Sequence, residues 1–135
     1  MAWIKRIILC LVAGALGGLA NSIAVWLFGA VGISQALGFM MAPALTIGWL
    51  LPRLFYGALW GLLFLLPFWE RRWVLKGLLI SLAPTAYMLL VVFPKLGKGM
   101  WGFGAGATAP LFVLFFNAIW GVVAAYFLLR TDGKA

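Results

Sequence analysis

Residues 7–31 carry no charged side chain and, apart from Asn21 and Ser22, no strongly polar one. At a helical rise of about 1.5 Å per residue, such a run covers the roughly 30 Å of hydrocarbon in a bilayer. Lys5 and Arg6 precede it, as basic residues precede the apolar core of a secretory signal. The run is nevertheless longer than the roughly 7–15 apolar residues of a signal peptide and reads as a transmembrane helix. The rest of the chain continues in the same vein, 67% hydrophobic and 9% charged, where a soluble domain carries about a quarter charged residues. Hydrocarbon leaves backbone polar groups no partner but one another, so the chain is expected to be an all-α integral membrane protein.

Its second feature is an internal echo. Leu54-Phe55-Tyr56-Gly57-Ala58-Leu59-Trp60-Gly61 returns as Leu114-Phe115-Phe116-Asn117-Ala118-Ile119-Trp120-Gly121, with five of the eight positions identical. We expect a single transmembrane domain built from two repeats, about residues 7–69 and 74–130. Each half begins on the same side of the membrane and crosses twice. The two would then be parallel, related by an approximate twofold axis along the membrane normal.

Four spans are expected, near residues 7–30, 53–68, 74–93 and 110–129. Residues 32–52 are apolar yet interrupted by Ser34, Gln35, Pro43, Thr46 and Pro52, and charge decides whether they cross. If they do not, Lys5, Arg6, Arg71, Arg72, Lys76, Arg130 and Lys134 lie on one side against Arg53, Lys95 and Lys98 on the other; if they do, the cations divide evenly. The positive-inside bias favours a four-helix transmembrane bundle with both termini cytoplasmic, as in a multi-pass protein of a bacterial inner membrane. Residues 32–52 then form a re-entrant or interfacial outer segment. The glycine-rich residues 94–108 form a second outer connection.

The second span is short for a bilayer. Either Leu50 and Leu51 extend it past Pro52, or the membrane thins and Arg53 snorkels outwards. Pro84 is expected to kink the third span, with Ser81 and Thr85 satisfying the carbonyls it frees. Trp69-Glu70-Arg71-Arg72-Trp73 reads as a tight turn in an aromatic belt, with Glu70 paired to Arg71 or Arg72.

The chemical inventory is sparse. With no histidine, one cysteine and two carboxylates at predicted membrane edges, no catalytic set and no metal cage can be assembled, and an enzyme, a metal site and a cofactor are not expected. The excess of basic residues sits at the ends of apolar runs and points to lipid headgroups rather than nucleic acid. Gly102-x-Gly104-x-Gly106 lacks the strand and helix context of a phosphate loop.

What remains is packing and polar residues inside the membrane. Gly14, Gly18, Gly57, Gly61 and Gly121 lie at four-residue spacings that let helices approach closely. Asn21, Arg53, Trp60, Thr85, Asn117 and Trp120 are the ligand or interface candidates, because buried amides, hydroxyls and indoles each need a partner. Asn117, Trp60 and Trp120 are expected between the halves, with Asn21 approaching from the first helix. The expected function is non-enzymatic: assembly with membrane lipid as solvent, as a homo-oligomer or as an accessory subunit of another membrane protein. The alternative is a small channel or transporter for a lipophilic or uncharged solute, because the interrupted outer segments fall at corresponding places in the two halves.

Overall fold

The structure, a computed structural model, describes residues 2–135. Its helices are α1 (Ala2–Ala30), α2 (Ile33–Ala36), α3 (Ile47–Gly61), α4 (Trp73–Tyr87), α5 (Phe93–Lys95) and α6 (Ala109–Asp132). A 3-10 stretch, Leu62–Leu65, extends α3, and a π-helical stretch, Met88–Val92, joins α4 to α5. Four helical units are long and apolar enough to cross a membrane: Ala2–Ala30, Ile47–Leu65, Trp73–Lys95 and Ala109–Asp132.

The second of these begins six residues before the expected Arg53. Thr46 caps it, its hydroxyl accepting from Trp49 N at 3.2 Å, and Pro52 lies inside the helix rather than at its start. Arg53 is thereby carried about 9 Å past the first residue of α3. Between α1 and α3 only the four-residue α2 is helical, so residues 31–46 contribute no fifth helical crossing.

The long helices form a row in the order α3, α1, α6, α4. Glycine sets the spacing at all three of its contacts, with Gly17 of α1 against the Trp120 backbone of α6 at the middle one. On α1, Gly14 faces the backbone of Gly57 and Gly61, and Gly18 faces Arg53, Leu54 and Gly57; Gly121 on α6 faces Gly77 and Ser81 on α4. A Cβ at Gly14, Gly61 or Gly121 would overlap a backbone carbonyl opposite. Lipid supplies no hydrophobic force between helices, so such close approach is what brings dispersion contacts into range. Gly77 escaped the sequence reading, although Gly77, Ser81 and Thr85 are themselves small residues four apart.

An exact twofold relating the halves would pair α1 with α4 and α3 with α6, and would give the α1–α6 contact a counterpart between α4 and α3. That counterpart is missing, because α3 and α4 share no comparable interface. A groove occupies its place.

Beyond the helices, the α1–α3 and α4–α6 connections close on each other. Met40 N donates to Ala105 O at 2.7 Å, and Thr108 Oγ1 to Leu37 O at 2.8 Å. Phe39 stacks on Phe112 at 5.1 Å. Gly106 lies against the Gly38 carbonyl with φ of 138°, a place and a conformation open to glycine alone.

At the opposite end the termini meet the α3–α4 turn. Glu70 pairs with Lys134 at 3.1 Å, not with Arg71 or Arg72 as expected, because the C-terminal turn after α6 folds back across the loop, with Ala135 N donating to Glu70 O. Hydrogen bonding from Lys134 holds the Glu70 carboxyl below its ordinary range. Arg6 reaches Asp132 at 3.0 Å and also donates to Phe64 O. Lys76, counted above among the cations on the side of the termini, is fully buried at that end; its ammonium donates to the carbonyls of Phe64, Leu66 and Ala135. Two of these belong to the frayed end of α3, whose last carbonyls have no helical donor.

Candidate functional site

The groove between α3 and α4 encloses about 490 Å³. α1 and α6 form its back wall, and the two unpaired helices form its sides. At the termini end, Trp60 of α3 meets Tyr87 of α4 with ring centroids 5.6 Å apart. Towards the other end, the groove is bounded by Arg53, Phe93, Leu96 and the loop residue Phe39. The walls are mostly apolar and aromatic, with polar groups concentrated on the back, the composition usual for small-molecule sites.

One hydrogen-bonded chain runs along that back wall and touches all four long helices. Arg53 donates from Nη2 to Asn21 Oδ1 at 2.6 Å and from Nε to Ser22 Oγ at 2.8 Å. Asn21 Nδ2 donates to Asn117 Oδ1 at 3.2 Å, Asn117 Nδ2 to Thr85 Oγ1 at 3.1 Å, and Thr85 Oγ1 to Ser81 O at 2.8 Å. The sense of the chain follows from its first member. A guanidinium has only donors, so Asn21 must present its oxygen, which turns its NH₂ towards Asn117 and imposes the same choice there. Both amide dipoles therefore point their negative ends towards the cation, and bonds aligned in this way polarise and strengthen one another.

Arg53 takes its place from the first of the two alternatives given for the second span, a helix extended past Pro52 through Leu50 and Leu51. Rather than snorkelling outwards it turns in towards α1, with its guanidinium also 4.6 Å from the Trp49 ring centroid. The early start of α3 accounts for this: with Arg53 inside the helix, the nearest polar groups are those of Asn21 and Ser22. No carboxylate is available to it among the described residues, since Glu70 and Asp132 are engaged at the far end of the bundle.

Asn21, Arg53, Trp60, Asn117 and Trp120 all line this cavity, and Thr85 stands behind Asn117 as its acceptor. Trp120 is buried at the α1–α6 contact against Gly17, and its indole donates to Gly14 O at 3.1 Å. Trp60 is only partly covered and faces α4. Ser81 and Thr85 bond the Leu78 and Ser81 carbonyls, not that of Ile80, which Pro84 deprives of its helical donor. Tyr87 was missed, since an aromatic residue one turn after a proline has no signature beyond general apolarity. Ser22, which accepts from Arg53 Nε, is likewise absent from the candidates the sequence offered.

No protein family, curated protein or solved structure matches this chain. The functional reading therefore rests on the geometry alone.

Proposed function

We propose that the protein is a non-enzymatic membrane protein that holds a lipophilic molecule in the groove between α3 and α4, as a carrier or small transporter. The observation that carries this is the groove itself: α3 and α4 stand apart where the other neighbours in the row pack closely, and the gap has a hydrogen-bonded back wall. The glycine faces that suggested self-assembly are spent on contacts within the chain, which weakens the case for them as an oligomer interface.

In the orientation we propose, both termini are cytoplasmic. Arg53 points into the bundle and Lys76 is buried, which leaves six cations at the termini end (Lys5, Arg6, Arg71, Arg72, Arg130, Lys134) against Lys95 and Lys98 at the other. That asymmetry is the positive-inside pattern. The groove would then open laterally towards the outer leaflet. The two halves would remain a parallel repeat in sequence, with symmetry broken at the groove.

Assembly as a subunit of a larger complex is the second reading, favoured by one observation. Only 17% of the apolar window of α3 is buried, against 39–44% for the other three helices, which leaves α3 the most open to a partner helix.

Native mass measurement of the protein purified in mild detergent tests both readings. The carrier reading expects a protomer retaining one lipid-sized molecule, lost on Val92→Trp, which fills the groove. A stoichiometric protein complex with no bound lipophile would select assembly instead.

A further inference from the structure

Resting on the reading of the groove as a lipophile site, we infer that its occupant is an anionic phospholipid, with its phosphodiester on Arg53 and one acyl chain lying along the groove down to the Trp60–Tyr87 ring pair that closes its far end. Arg53 carries five N–H donors in a planar fork. The structure gives partners to two of them, from Asn21 and Ser22, and both partners are neutral. A cation within a membrane helix is costly unless it is paired or faces a polar cavity. The two acidic side chains of the protein lie at the opposite end, each already bonded to a base. The positive charge at the head of the groove is therefore uncompensated by the chain itself, and the aligned Asn21 and Asn117 amides hold it in place without neutralising it.

The placement fits a lipid in the leaflet at the loop end. Arg53 lies about 9 Å inside α3 from its first residue, close to where a headgroup meets hydrocarbon. From Arg53 the groove descends past Tyr56 and Met88 to Trp60 and Pro84, a path that is apolar apart from the back wall. Since α3 and α4 do not close over it, a second acyl chain can remain in the bilayer. An arginine fork matches phosphate oxygens in pairs, and a bilayer presents phosphodiesters at the mouth of this groove. An uncharged solute, the earlier expectation, would leave the guanidinium without a counter-ion.

The test is titration of delipidated full-length protein in mild detergent with phosphatidylglycerol, phosphatidylcholine or oleate, read by native mass spectrometry. Expected is a single phosphatidylglycerol bound about tenfold or more tightly than phosphatidylcholine, which offers the same phosphodiester but brings a choline cation up to the uncompensated Arg53 charge. Arg53→Gln should abolish that preference, whereas Arg72→Gln, an exposed cation at the other end, should leave it intact. Thermal stability is followed in parallel, and Arg53→Lys keeps the charge without the fork, so a folding defect in Arg53→Gln alone does not decide the matter. Equal binding of the two phospholipids, with both lost in Val92→Trp, would overturn the anionic assignment while leaving the groove reading in place. Binding unaffected by Val92→Trp would overturn both. Oleate outcompeting phosphatidylglycerol would overturn the phospholipid assignment in favour of a free carboxylate.

Discussion

Asn21 on α1 and Asn117 on α6 meet amide to amide at 3.2 Å, and this single bond links the cation of α3 to the hydroxyl of α4. It ties together the two halves of the chain, 96 residues apart in sequence, at the back of the groove. Neither amide has another orientation that satisfies its neighbours, because Arg53 can only donate. The pair therefore acts as a fixed polar spine around which the apolar groove is arranged.

Replacing Asn117 by Leu removes both an acceptor for Asn21 and a donor for Thr85. We expect a loss of about 1–3 kcal/mol, the usual cost of leaving buried polar groups unpaired. A double-mutant cycle with Asn21→Leu should show coupling of about 0.5–1.7 kcal/mol, the range for hydrogen bonds between membrane helices. Additive effects in a reversible detergent unfolding assay would mean that the two amides do not depend on each other.

Glycine substitutions should separate by what stands opposite. Gly61→Leu and Gly121→Leu push a side chain into backbone of a neighbouring helix, and each should cost about 1–3 kcal/mol or prevent folding. Gly48→Leu, with open space around it, should change the melting temperature little. Equal effects at all three positions would contradict the packing order described above.

Topology is open to cysteine labelling on a Cys10→Ser background. In the orientation proposed, a cysteine at Lys98 reacts with a membrane-impermeant reagent in intact cells, and one at Gly133 reacts only after permeabilisation. The reverse pattern would place the groove mouth in the cytoplasmic leaflet.

Glu70 supplies a pH dependence whose sign is set by its bond to Lys134. Its carboxyl titrates below the ordinary value of 4.5, so the folded state binds that proton less readily than the unfolded state. The stabilisation is complete above the unfolded value and disappears as pH falls through the folded one. The melting temperature of the wild type should therefore exceed that of Glu70→Gln at pH 7, and the gap should narrow on acidification below about pH 4.5. High salt should narrow it too, because the pair is partly exposed. A gap that widens on acidification would show that Glu70 is not held ionised by Lys134.

Much of this architecture was legible in the chain, for a physical reason. Hydrocarbon permits few backbone solutions, so uncharged runs such as residues 7–31 announce helices, and four-residue spacings such as Gly14–Gly18 and Gly57–Gly61 mark faces able to approach closely. The need of Asn21 and Asn117 for partners also follows from residue type alone. Which partner each finds does not. That Arg53 turns inwards depends on α3 starting at Ile47, a start favoured by the Thr46 cap and overriding the stop that Pro52 suggested. Lys76 is buried because the α3 tail and the C-terminal turn converge on it, which no local pattern encodes. Above all, the opening between α3 and α4 belongs to the tertiary structure. In lipid no hydrophobic force drives apolar helix faces together, so whether two helices close or stand apart is decided by how their neighbours hold them, and here α1 and α6 hold them apart.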